Sequence, residues 1–171
     1  MSGVTIYLDM DGVVADFMKS YAPLQKEHNV LDHSAHDHKL FVATISTQPL
    51  FLNLEPMADA TVLLEGIARF AKEYDVSVEM LTSVGTDDPA LGNKVANEKR
   101  QWLAKHGITY KPNFVTRKKE KSLYATPMSI LIDDSWGCID PFHNAGGKVI
   151  HHKSAVETLI KLDKMLRLLC T

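Results

Sequence analysis

The sequence predicts an α/β protein, a parallel sheet covered by helices on both faces. Short apolar runs alternate with helical patterns along most of the chain, which is the signature of repeated β-α units. Three of those runs end in Asp or Thr (Asp9, Thr82, Asp133), and in parallel sheets ligands bind beyond the C-terminal ends of the strands. The length, 171 residues, suits one domain with a substantial core and is too short for two large ones.

Each element has its own reason. Residues 4–8 are a β-rich apolar run that stops at Asp9-Met10-Asp11-Gly12, so they read as a buried strand with two acids at its end. Residues 13–28 fit a helix with Val14, Phe17, Met18 and Tyr21 on one side. Residues 30–44 read as irregular and histidine-rich, and residues 49–56 as a packed loop or short helices between Pro49 and Pro56. Residues 59–73 form an amphipathic helix, with Ala60, Leu63, Leu64, Ile67, Ala68 and Phe70 at helical spacing. Residues 76–81 are a strand ending at Thr82-Ser83. Residues 93–105 are a helix closed by His106-Gly107. Phe114 and Val115 sit in a short strand, and residues 129–132 in an apolar one that ends at Asp133-Asp134. Residues 138–145 make a short helix stopped by Gly146-Gly147, residues 148–151 a last strand, and residues 154–169 a terminal helix. Residues 17–58 interrupt the alternation. They read as a small helical cap on a core made of residues 1–16 and 59–171.

Composition narrows the function. The formal net charge is -2, which argues against a general nucleic-acid coat protein. The average hides a split: residues 1–90 carry -9 and residues 91–171 carry +7, so a carboxylate-rich half and a lysine-rich half are available to handle a metal and an anion. Two cysteines, Cys138 and Cys170, call for no disulfide scaffold, and Cys138 has no evident base partner for thiol catalysis. No apolar run is long enough to span a membrane, and a cytoplasmic location is expected. The pattern His33-x-x-His36-x-His38 lacks a thiolate and reads as a polar surface loop, not a structural zinc site.

The chemistry concentrates at the acids. Asp9 and Asp11 lie two apart in one loop mouth, and carboxylates this close repel unless they share a cation. Asp133 and Asp134 supply a second pair at another strand end. Oxygen-rich sites suit Mg²⁺ when the partner is a phosphate.

Here the residues resemble a family. Tyr7-Leu8-Asp9-Met10-Asp11-Gly12-Val13-Val14-Ala15-Asp16 resembles the first motif of the haloacid dehalogenase-like hydrolases, Met80-Leu81-Thr82-Ser83 the second, and Ile130-Leu131-Ile132-Asp133-Asp134 the fourth. Within that superfamily the chain resembles the 5'(3')-deoxyribonucleotidase branch and its small bacterial and phage-like relatives. The resemblance rests on Asp16-Phe17, the stretch Phe51-Leu52-Asn53-Leu54-Glu55-Pro56, the pattern Lys99-x-x-Trp102-Leu103, and Ala145-Gly146-Gly147-Lys148-Val149-Ile150-His151. Trp136-Gly137-Cys138 departs from it, where a more polar run is usual.

The resemblance implies a three-layer Rossmann-like parallel sheet with a small helical cap insert. It also implies a Mg²⁺-dependent phosphomonoesterase acting on (deoxy)nucleoside monophosphates. Asp9 is then the nucleophile and Asp11 the general acid and base. Mg²⁺ is held by Asp9, Asp11 (through its carbonyl) and Asp133, while Asp134 either binds through a water or orients a ligand. Thr82 and Ser83 meet the phosphoryl oxygens. The third motif supplies a lysine from Lys118, Lys119 and Lys121, with Lys121 the closest match and Lys119 the next. Phe17, Phe41 and Phe51 either stack on a base or form the cap's own core. A small-molecule substrate, no duplex nucleic acid and a monomer or homodimer are expected. Two same-fold alternatives remain: a phosphatase of small sugar phosphates or nucleic-acid 3' phosphates, and a non-catalytic binding protein. A receiver domain fits poorly, because its acid pair and phosphorylated Asp lie on different strands.

Overall fold

The computed structural model describes residues 3–170. Five strands form one all-parallel sheet: β1 (Thr5–Leu8), β2 (Ser77–Ser83), β3 (Lys111–Val115), β4 (Ser129–Asp133) and β5 (Lys148–His151), in spatial order β3-β2-β1-β4-β5. β1 is central, with Thr5 in register with both Ser77 and Ser129. The strand order reverses beside β1, so the crevice between the ends of β1 and β4 is the place where such sheets bind ligands.

The pleat sorts the core into two layers. Ile6, Leu8, Met80, Ile130 and Ile132 face one side and meet α3 (Ala60–Tyr74), α4 (Pro89–Lys105) and α6 (Ala155–Leu169). Leu81 and Leu131 point to the other side. There α5 (Trp136–Asn144) and a 3-10 segment at Lys118–Tyr124 cover the sheet. Four-residue β1 buries Ile6 and Leu8 completely on one face and leaves Thr5 and Tyr7 half-buried on the other.

Two further helices, α1 (Phe17–Glu27) and α2 (Ala35–Thr47), and a 3-10 turn at Leu50–Asn53 lie between β1 and α3. The two limbs of this insertion are stitched together where it leaves and rejoins the rest. Asp16 N–H donates to the Glu55 carbonyl (2.8 Å), and Met57 N–H to the Val14 carbonyl (2.9 Å). α4 holds the returning limb with residues one turn apart. Lys94 Nζ donates to the Ile45 and Gln48 carbonyls at 2.6 and 2.9 Å, Glu98 accepts the Phe51 N–H at 3.1 Å, and Trp102 Nε1 donates to the Leu54 carbonyl at 2.8 Å.

Several boundaries differ from expectation for local reasons. α1 starts at Phe17, not at residue 13. Residues 10–15 are a tight loop in which Val14 and Ala15 N–H both donate to the Met10 carbonyl, and Asp16 caps α1 by accepting the Lys19 N–H. The stretch 30–44, expected irregular, is helical from Ala35, because the Ser34 side chain accepts the Asp37 N–H at 2.9 Å and caps it. The first turn of α2 is polar, so its apolar period is visible only from Leu40 onward. α4 starts four residues early at Pro89, behind the Asp88 cap, a favoured N-cap and N1 pair. β3 extends back to Lys111 through Pro112, which an edge strand tolerates. α5 starts at Trp136, two residues early.

Candidate active site

The loop after β1 sets the floor of the site. Asp9 continues the strand, its N–H donating to the Ile132 carbonyl at 3.0 Å. The chain then reverses through Gly12 at φ +78°. That position needs glycine twice over, because a Cβ there would also collide with the Asp134 carboxylate. Asp133 ends β4 and is completely buried, and Asp9 is nearly so.

Two buried ammonium groups divide these acids between them. Lys121, in the 3-10 segment, places Nζ 2.7 Å from Asp9 Oδ1 and 2.7 Å from Asp133 Oδ2. Lys118 and Lys119 make no such contact; Lys118 Nζ reaches Ser135 Oγ at 3.5 Å. Lys99, from α4, places Nζ 2.6 Å from Asp11 Oδ2, 2.7 Å from Thr82 Oγ1 and 2.8 Å from the Ser83 carbonyl. It also lies 4.6 Å over the Phe51 ring. Sequence reasoning used Lys99 only as part of a helix pattern and did not assign it to the site. The available signal was its position in α4: Val95, Lys99, Trp102 and Leu103 form one buried stripe.

The electrostatics follow from this packing. Burial works against the charge on Lys121, yet the carboxylates of Asp9 and Asp133 overcome it and raise its pKa. Burial, then repulsion from Asp9, pushes Asp133 up to about 6 against the pull of Lys121. Burial and the charges of Asp9 and Asp133 push Asp134 up to about 7. Asp134 reaches solvent at the lip of the cleft, so water screens part of that repulsion. Asp11 is raised as well, by burial first, although Lys99 opposes the rise. About a quarter of its side chain (26%) stays accessible, but Oδ1 itself is shielded from solvent and has no hydrogen-bond partner.

Asp9, Asp133 and Asp134 each offer an oxygen within 4.8 Å of the others. Three hard oxygen donors this close, with Asp133 and Asp134 raised by the neighbouring charge, fit a divalent cation, which would relieve the repulsion. Asp11 stands beside this cluster, its side chain turned to Lys99.

The predicted substrate contacts are distributed unevenly. Thr82 is fully buried, and its Oγ1 accepts from Lys99. Ser83 borders the cleft, but its hydroxyl is committed, donating to the Thr116 carbonyl at 3.0 Å and accepting the Gly85 N–H at 3.1 Å. Phe17, Phe41 and Phe51 all line the cleft above the acids, a space of about 740 Å³. They also pack on one another: Phe17 and Phe51 stack at 5.7 Å, and Phe41 meets each edge-on at 6.4 Å. The packing is that of a cap core, with Phe51 buried and Phe17 and Phe41 half-buried at the cleft. A Cβ at Gly85 would lie 3.0 Å from the Phe41 ring, so the loop after β2 comes close under α2.

The histidine-rich stretch is not a loose loop. Asp37 accepts from Tyr21 Oη and Gln25 Nε2 (both 2.9 Å) and from the His33 N–H (3.1 Å), and these donors hold its pKa down against burial. Asp32, His33 and Asp37 line the same cleft as the acids. Cys138 is buried, and burial pushes its thiol well up, a poor state for a nucleophile. Arg117 is exposed and pairs with Asp87.

No family model matches the sequence, and no curated protein matches it significantly. Solved structures share its fold. A hydrolase from Streptococcus pneumoniae TIGR4 aligns at TM-score 0.50 and 16% identity, over 95% of this chain and 100% of that one. L-2-haloacid dehalogenase from Xanthobacter autotrophicus aligns at TM-score 0.50 and 13% identity, over 85% of this chain and 75% of that one. The fold is thus an α/β Rossmann-like parallel sheet. Its sheet arrangement is shared with that hydrolase and that dehalogenase. Among the described residues, no helix is long and apolar enough to cross a membrane.

Proposed function

We propose that the protein is a Mg²⁺-dependent phosphomonoesterase acting on (deoxy)nucleoside monophosphates through an aspartyl-phosphate. The observation that carries this reading is the pairing of two lysines with three acids of different duty: Lys121 on Asp9 and Asp133, Lys99 on Asp11.

Asp9 is the nucleophile. Lys121 fixes its carboxylate through Oδ1, and attack on phosphorus displaces the leaving oxygen. Asp11 donates the proton that oxygen takes up. Burial raises the Asp11 pKa against the pull of Lys99, a shift in the direction that general-acid work favours. Oδ2 is held by Lys99, which leaves Oδ1 for the transferred proton once the carboxyl turns that oxygen into the cleft. In the second half Asp11 takes a proton from water, the water oxygen attacks phosphorus, the phosphorus bond to Asp9 breaks, and inorganic phosphate leaves. Lys121 complements the charge that builds on the phosphoryl oxygens, and the Thr82 hydroxyl hydrogen and the Ser83 backbone serve the same oxygens. Mg²⁺ held by Asp9, Asp133 and the Asp11 carbonyl, with Asp134 beside them, would offset charge between nucleophile and phosphate.

Residues 17–58 act as a cap over a core of residues 1–16 and 59–171. The cleft they close is of a size that takes a nucleotide, and its Phe17 and Phe41 edges suit a base. A panel of deoxynucleoside monophosphates, sugar phosphates and 3'-phosphorylated oligonucleotides with Mg²⁺ tests the reading. Phosphate release is expected chiefly from the nucleotides, and Asp9→Asn is expected to lower it by roughly 10³-fold or more. Release only from oligonucleotide ends, or unchanged activity in Asp9→Asn, would sink it.

A further inference from the structure

Trp136 is a cleft aromatic that the reading above leaves unused. Five aromatic side chains line the cleft: Phe17, Tyr21, Phe41, Phe51 and Trp136. The first four lean on one another, with ring centroids 5.0 to 6.4 Å apart. Their faces are largely taken up by that mutual packing. Trp136 belongs to the opposite wall, at the start of α5, and it is 59% exposed. The other tryptophan, Trp102, is fully buried.

The indole is nevertheless held in place. Its ring lies against the His151 imidazole at a centroid distance of 4.3 Å. His151 Nε2 donates to the Asp134 carbonyl at 2.9 Å. The platform is therefore tied to the backbone of the acid beside the reaction centre. Its neighbour Gly137 has no side chain to screen it. Water gains little from an exposed indole, whereas planar π-systems stack on one with little dependence on their identity.

We propose that Trp136 is a specificity-determining residue: its open surface takes the planar base of the leaving nucleoside on the wall facing the cap. This deepens the nucleotidase reading and rests on it. It assigns base contact to the α5 wall, with the cap aromatics serving mainly to hold the cap's shape.

The test uses the full chain bearing Asp9→Asn, so that ligands bind without turnover, with Mg²⁺ present. Tryptophan emission is followed during titration with thymidine monophosphate, adenosine monophosphate and ribose 5-phosphate. With Trp102 sealed in the core, a ligand-induced change in emission reports on Trp136. Both nucleotides are expected to quench and shift the emission, and ribose 5-phosphate to leave it unchanged. Adding Trp136→Leu is expected to weaken nucleotide binding about tenfold and ribose 5-phosphate binding less than twofold, and Trp136→Phe to restore most of the nucleotide affinity. Equal losses for all three ligands, no loss for any, or nucleotide quenching that survives in Trp136→Leu would overturn the proposal. A parallel assay on the unsubstituted enzyme separates the two readings. Hydrolysis of nucleotides and ribose 5-phosphate with the same KM removes the stacking role alone. No hydrolysis of any phosphomonoester removes the phosphatase reading, and this one with it.

Discussion

Asp9 and Asp11 are two residues apart in sequence, yet each has its own buried lysine. Lys121 fixes the first, and Lys99 fixes the second together with Thr82 and the Ser83 carbonyl. Lys99 touches no reacting atom in the proposed scheme, so it is a positioning residue. Lys99→Met removes the group that orients Asp11, and the loss should depend on how much the leaving group needs a proton. With a nucleotide the fall in kcat is expected to be about 10²-fold, and with 4-nitrophenyl phosphate, whose leaving oxygen needs little protonation, less than tenfold. Equal losses on both substrates would mean a purely structural role. Asp9, Asp11, Asp133 and Lys121 were all legible in the sequence, because strand ends and a family resemblance marked them. Lys99 was not, since a lysine in a polar-looking helix reads as solvated; only its place on the Val95–Trp102–Leu103 stripe betrays its burial.

At the scale of elements, α4 is the strut that joins the insertion to the sheet. Lys94, Glu98 and Trp102 stand one turn apart and each meets the returning limb, while Lys99, one residue round the helix, enters the site. Glu98 is buried and accepts the Phe51 N–H while pairing with Lys94 at 2.8 Å. Glu98→Ala strands a buried N–H and should cost about 1–3 kcal/mol. Glu98→Gln, which keeps an acceptor, should cost less. Urea denaturation measures both, and indistinguishable stabilities would refute this role for the clamp. Most of the elements were legible, because amphipathic helices and apolar strands announce themselves by period. The N-terminal end of α2 was not, since its stability comes from the Ser34 cap and from Tyr21 and Gln25 holding Asp37, contacts that have no periodic trace.

For the molecule as a whole, the acid cluster links stability to pH and to metal. Asp133 and Asp134 have folded pKa values near 6 and 7, above the unfolded carboxylate value of about 3.9. The folded protein therefore binds protons that the unfolded chain has already lost. Without metal, the contribution of these two groups is most favourable below about pH 4 and declines as pH rises through 6 to 7. In EDTA, thermal melting should therefore show a fall in Tm between about pH 5 and pH 8 that Asp133→Asn reduces. Mg²⁺ binds the ionised carboxylates, so it should raise Tm more at the higher pH. A Tm that ignores Mg²⁺ at pH 8 would count against the cluster as a cation site. The opposite net charges of the two halves of the chain gain only a partial meaning here. Asp9 and Asp11 come from the acidic half and Lys99 and Lys121 from the basic half, but Asp133 and Asp134 come from the basic half too. Parallel alternation was readable from the sequence, whereas the strand order was not, because it depends on pairings that no local pattern records.

The central place of β1 has a consequence for how the chain reaches its native state. Its two neighbours begin at Ser77 and Ser129, and the ammonium that neutralises Asp9 lies 112 residues downstream. During synthesis the first strand emerges with neither flanking strand, and its acids emerge with no counter-ion. Closing such distant contacts is slow, and exposed apolar strands favour aggregation while they wait. The acidic loop that follows β1 keeps that waiting segment charged and soluble until residue 129 has been made. Cation affinity should then be recovered only in the last phase of refolding, together with the pairing of β1 and β4.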